Sequence, residues 1–106
     1  MTTSIPSELT GRSIDCLLGP ITPRLTFGAG GLHLQAQIGE QVIDEVVEVE
    51  VTRIRPSVFA MSWTEKSGNF IVQVQDHEKS IVHNYARLAD GQLFCTQGTI
   101  RPVVAA

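Results

Sequence analysis

Four side chains spaced two apart, Phe59, Met61, Trp63 and Glu65, combine a large apolar surface with one carboxylate. In an extended chain alternate side chains share a face, so these four point the same way. Two other runs behave alike. Ile81, His83, Tyr85 and Arg87 share one face, and Phe70, Val72, Val74 and Asp76 share another. If the bulkier face of each run points inward, an interior holds Trp63, His83, Tyr85, Glu65 and Arg87 among apolar neighbours. Charged residues are rarely buried without a partner, so such a set marks the polar mouth of a pocket. A carboxyl drawn into apolar surroundings has its pKa raised toward neutrality, which suits a general acid or base. Glu65 would hold that role, with His83 as its partner. The plainer reading is equally open: Glu65 and Arg87 are rim charges at strand ends, and His83 is a satisfied core histidine.

Other chemistries have weaker support. His33, His77 and His83, with Cys16 and Cys95, lack the spacing of a metal site, so no metal and no cofactor is expected. Gly28-Ala29-Gly30-Gly31 has neither a following helix nor a P-loop lysine, which makes it a hairpin turn. Cys16 and Cys95 fall on the first and last strands and read as two small buried residues, close together if those strands meet.

The elements that must position these groups are strands. Apolar residues recur with period two, broken at close intervals by turn residues. The pattern predicts strands over Arg12–Leu18, Thr22–Phe27, Leu32–Ile38, Ile43–Ile54, Ser57–Thr64, Phe70–Asp76, Lys79–Leu88 and Gln92–Arg101. The Glu/Val alternation within 43–54 favours a strand over a helix because valine is β-branched. Pro6–Thr10 is at most one helical turn, within an N-terminal segment spanning 1–10. Eight short strands with short turns describe an all-β chain. An open sheet of that size exposes two edges, so the expectation is an eight-stranded antiparallel up-and-down barrel. Gln92–Arg101 carries Phe94 and Ile100 on one face and Cys95 on the other. Large groups on both faces, in a small fold, predict a homodimer.

Composition limits the remaining possibilities. The 106 residues, 42% of them hydrophobic, suit one folded domain spanning 1–106. A net charge of −3 supplies no basic field for a phosphate backbone, so no nucleic-acid partner is expected. No apolar run has the length of a membrane span, and Met1–Gly11 lacks signal-peptide character. Cytoplasmic location is the expectation.

The stretch Val58-Phe59-Ala60-Met61-Ser62-Trp63-Thr64-Glu65-Lys66-Ser67-Gly68 resembles a strand and turn shared by two calycin-type groups. One is the MoaF-like family, named for molybdenum cofactor biosynthesis protein F; the other is the phenolic acid decarboxylases. The resemblance extends to Leu9-Thr10-Gly11, Val72–Asp76 and Ile81–Asn84, covering roughly residues 9–88. It implies a lipocalin-like barrel with a ligand cavity. In the decarboxylases the glutamate matched by Glu65 acts in that cavity, helped by tyrosines and an arginine. Those helper positions fall near Cys16, Leu18 and Gln41–Val42 here, so the set that grips a carboxylate is absent.

Two functions follow as expectations. The first is binding of a small apolar or aromatic metabolite against Phe59, Met61, Trp63, Phe70 and Tyr85, with Glu65, His83 and Arg87 as the polar groups. The second is a small lyase or isomerase in which Glu65 is the general acid or base.

Overall fold

The computed structural model describes residues 4–104. The strands are β1 (Ser13–Leu17), β2 (Arg24–Gly28), β3 (Gly31–Ile38), β4 (Gln41–Val47), β5 (Glu50–Arg55), β6 (Val58–Thr64), β7 (Phe70–Asp76), β8 (Ile81–Arg87) and β9 (Leu93–Pro102). They form one sheet in the order β4-β3-β2-β1-β9-β8-β7-β6-β5. Every pairing between strands is antiparallel. Among the described residues there is no helix; Pro6–Thr10 forms a turn closed by Leu9 and Thr10 amides on the Pro6 carbonyl.

The chain is therefore all-β, as its alternation predicts, but with nine strands rather than eight. The difference lies in the expected Ile43–Ile54 strand. Val47 and Val49 are buried and Val51 half-buried, so the alternation of faces runs through unbroken. The neighbours change instead. Residues 41–47 pair with β3, and residues 50–55 pair with β6. Glu48-Val49 carries the chain from one edge of the sheet to the other. No ladder joins the two edge strands β4 and β5, so hydrogen bonding does not close the sheet into the expected barrel. The sheet nevertheless curls on itself, with extents of 34 × 30 × 28 Å.

Both edges are partly covered, which offsets the exposure that favoured closure. At β5, the Ser4 amide donates to the Val49 carbonyl, and Arg53 pairs with Glu8 at 3.1 Å. Leu9 from the same segment is fully buried in the core. At β4, the Glu45 carboxylate accepts the Lys66 amide at 2.9 Å across the gap. The curled inner face carries Ile14, Cys16, Leu25, Phe27, Leu32 and Phe59, all buried. Burying one such large apolar side chain is worth about 1.5–3 kcal/mol, so this face supplies the main drive to curl. Gly98 permits the tight packing of β9 on β1, since a Cβ there would collide with the Leu17 carbonyl.

Candidate functional site

Inside the curl, at the end formed by the 18–23 loop, the 65–69 turn and Leu88, lies a cavity of about 160 Å³. Its walls are mostly apolar, including Leu18, Leu34, Ile43, Ile71 and Ala86. Its polar groups are Glu65, Asn69, Gln73 and Asn84. Trp63 stands beside Glu65, as the W-x-E spacing predicts, and is 4% exposed. The Trp63 indole N–H donates to Glu65 Oε2 at 3.3 Å. Burial pushes the Glu65 carboxyl above the usual glutamate range. The Trp63 hydrogen bond opposes that shift, the nearby Glu45 charge adds to it, and the Asn69 side chain opposes it.

Trp63 and Glu65 also border an open groove of about 910 Å³ along the gap between β4 and β6. Asp44–Glu50 line one bank and Ser62–Lys66 the other, with Phe70 at the rim. The same pair thus separates the interior cavity from the surface.

A polar ladder climbs the inner face toward the cavity. His77 Nε2 lies 2.9 Å from Gln75 Oε1. Gln75 Nε2 donates to Gln73 Oε1 at 2.8 Å, and Gln73 Nε2 donates to Asn84 Oδ1 at 2.9 Å. Gln73 and Gln75 are 1% and 0% exposed, a depth at which an unpaired amide would be costly. No buried side-chain nitrogen or oxygen among the described residues lacks a partner. The His77 ring stands edge-on to Phe59, with centroids 5.6 Å apart. Burial, with Arg12 nearby, holds its pKa below the ordinary histidine value against a weaker opposing pull from Asp76.

Of the side chains expected to gather here, the structure brings together Glu65 and Trp63. Phe59 and Met61 do face inward, but they are buried in the packed core and do not line the cavity. Phe70 sits at the groove rim, 36% exposed. His83, Tyr85 and Arg87 do not point inward as expected. On β8 the inner face belongs to Val82, Asn84 and Ala86, which leaves Tyr85 44% exposed on the outside. Phe70, Val72 and Val74 likewise take the outer face of β7, opposite Arg87, Tyr85 and His83. The reason is the ladder. Gln73 and Gln75 satisfy one another inside, so the valines need not be there. Gln73, Asn84 and Asn69 are the site residues that the sequence reading missed. Three interdigitated carboxamides on facing strands, Gln73, Gln75 and Asn84, were the available signal.

The cysteines follow the same division. β1 and β9 are neighbours, as expected, but Cys16 is buried inside opposite Ile100 while Cys95 is exposed on the outer face. Both are free thiols. Among the described residues no three His, Cys, Asp or Glu side chains gather in a metal-like group, and no helix is long and apolar enough to cross a membrane.

The family model for MoaF-like proteins matches residues 10–101, nearly the whole of this sheet. The chain belongs to the MoaF-like family. Its fold is also that of a crystal structure from Burkholderia vietnamiensis described as a candidate β-lactamase, with a TM-score of 0.82 and 17% identity over 95% of this chain and 100% of that one. At that identity the likeness concerns fold alone. No curated protein matches the chain. The expected resemblance to the phenolic acid decarboxylases gains no support from these matches.

Proposed function

We propose that this MoaF-like protein binds a small, partly apolar or aromatic molecule inside its curled sheet, as a lipocalin-like barrel holds its ligand. The observation that carries the reading is the cavity of about 160 Å³, with apolar walls and a few convergent polar groups. A cavity of about 150 Å³ lined by aliphatic side chains accepts a benzene-sized molecule, so the occupant is of single-ring size. Glu65, Trp63 and Asn69 form its outer polar end. The lyase or isomerase reading has less behind it. Its proposed pair is not assembled, since His83 lies on the outer face, and enzyme sites need a second group within reach. Glu65 with a raised pKa remains its one supporting feature. Two free thiols fit a reducing, cytoplasmic setting.

Trp63 is the sole tryptophan and lines the cavity. Its emission should shift on titration with single-ring probes such as toluene, and native mass spectrometry should find a small molecule carried through purification. An emission that ignores every such probe, in a protein that carries nothing, overturns the reading.

A further inference from the structure

We infer that the ligand's buried end is a hydrogen-bond acceptor, such as a carbonyl oxygen, received by Asn84 Nδ2. The inference rests on the cavity reading and adds the polarity of the inner wall.

The direction of the ladder is fixed from its far end. A carboxamide can be turned over without changing its shape, so each orientation must follow from its partners. Gln75 places one terminal atom 3.3 Å from Met61 Sδ. A thioether accepts and does not donate, so nitrogen there makes a hydrogen bond where oxygen would make only a contact, and the structure places nitrogen at that atom. The same Nε2 lies 2.8 Å from Gln73, which must therefore present oxygen. The Cys16 thiol, 3.9 Å from that oxygen, agrees, because an S–H donates. With its oxygen committed, Gln73 offers nitrogen to Asn84, and Asn84 must answer with Oδ1. At the other end Gln75 Oε1 requires a donor, which fixes the His77 proton on Nε2.

Every hydrogen bond thus runs the same way: His77 to Gln75, Gln75 to Gln73, Gln73 to Asn84. What remains is Asn84 Nδ2, whose N–H groups have no acceptor among the described residues; Asn84 is half-buried, so this atom is open to the cavity and is not one of the sealed polar atoms. Asn84 lines the cavity. Bonds aligned head to tail polarise one another, so the terminal N–H is a better donor than an isolated amide. Protonating His77 leaves Nε2 a donor, so the direction does not reverse in acid. Met61 acts here as a positioning residue, not as part of the ligand surface.

The test compares two probes of one shape, cyclohexanone and methylenecyclohexane, which differ in C=O against C=CH2. Binding is read from Trp63 emission and from the Asn84 side-chain amide signal in proton–nitrogen NMR. The affinity ratio of cyclohexanone to its hydrocarbon twin should exceed the ratio of their partitioning from water into alkane by roughly tenfold or more, the scale of one buried hydrogen bond, and cyclohexanone should move the Asn84 Nδ2 protons downfield. Asn84→Asp, measured at a pH where carboxyl NMR shows the new side chain ionised, keeps the oxygen that Gln73 requires, removes the donor and should erase the excess. An affinity ratio no greater than that water-to-alkane partitioning, in the unaltered protein, overturns the inference and leaves the cavity reading standing. Failure of both probes to enter overturns both.

Discussion

The inner and outer faces of β7 and β8 invert the usual distribution. Inside stand Gln73, Gln75 and Asn84, with the two glutamines shielded from solvent; outside stand Phe70, Val72, Val74 and Tyr85, partly exposed. The inner amides are tolerated because each is hydrogen-bonded. The outer apolar groups form one strip, with Val72 beside Tyr85, and the half-burial of Val72 and Val74 within it limits their cost. The difference teaches that hydrogen-bond satisfaction, and not hydrophobicity alone, decides which face of an alternating strand turns inward.

The largest contrast between the two environments lies in the thiols. Cys16 is buried, and burial, reinforced by the Asp15 charge, pushes its pKa up to about 12. The thiolate is the reactive form, so Cys16 is doubly protected. In the native protein at neutral pH a disulfide reagent should modify Cys95 at least about 100-fold faster than Cys16. Mass mapping of a time course checks this, and comparable rates would show that the inner face is open.

Gln75→Ala should destabilise the fold by about 1–3 kcal/mol, because it takes the short donor from the buried Gln73 oxygen and the acceptor from the half-buried His77 N–H. The double change Gln73→Leu with Gln75→Leu should cost less than the sum of its single changes, by about 0.5–3 kcal/mol, since it removes both partners of one bond together. Urea unfolding of the four proteins gives the coupling. Strict additivity would mean that the ladder is not a unit.

These same residues show what could be read from the chain. Alternation located β7 at Phe70–Asp76 and paired Trp63 with Glu65 on one face. Periodicity of two assigns residues to faces but does not say which face is inside. Choosing by bulk placed Tyr85, His83 and Arg87 in the interior, because bulk does not register that Gln73, Gln75, His77 and Asn84 can satisfy one another there. The division of 43–54 into β4 and β5 was hidden for a related reason. Its valines keep their alternation through Glu48-Val49 while the pairing strand changes, and pairing is not a local property.

Two carboxylates extend the comparison to acid and base, with opposite signs. Asp15 lies on the outer face, clamped by Arg24 at 2.9 Å and Arg101 at 3.0 Å. The Arg24 hydrogen bond is the largest influence and, with Arg101, outweighs burial to hold its pKa below the usual aspartate value. Its stabilisation is complete above the unfolded-state pKa and is lost as pH falls through the folded one. Glu65 lies at the inner face with a raised pKa. Its contribution is most favourable below the unfolded-state pKa and declines as pH rises through the folded value. Asp15→Asn should therefore flatten the loss of stability in acid and lower stability at neutral pH. Glu65→Gln should leave the neutral fold equal or slightly more stable and remove a pH dependence above the ordinary glutamate range. Stability measured by urea at several pH values separates them, and a normal or low Glu65 pKa by carboxyl NMR would remove the desolvated site.

The smallest effect belongs to the outer face. Tyr85 is 44% exposed and lies opposite Val72 and Cys95. In a single copy of the chain, Tyr85→Ser removes a partly hydrated ring and strands no buried partner. The expected change is within about 0.5 kcal/mol, as for surface positions generally. The value is informative because it depends on whether this face stays free. The homodimer expected from Gln92–Arg101 gains no support from Ile100, which is buried inside; Leu93 and Phe94 are its exposed apolar groups on β9. A second copy packed over Tyr85 and Leu93 would bury the ring, and truncating it would then cost well above 0.5 kcal/mol and change with protein concentration. Urea curves of the Tyr85→Ser and unaltered proteins at two concentrations, set beside the mass from light scattering, decide between a free face and a dimer interface. A small, concentration-independent change with a mass of 11.5 kDa leaves the valines and Tyr85 as solvent-facing residues of a monomer.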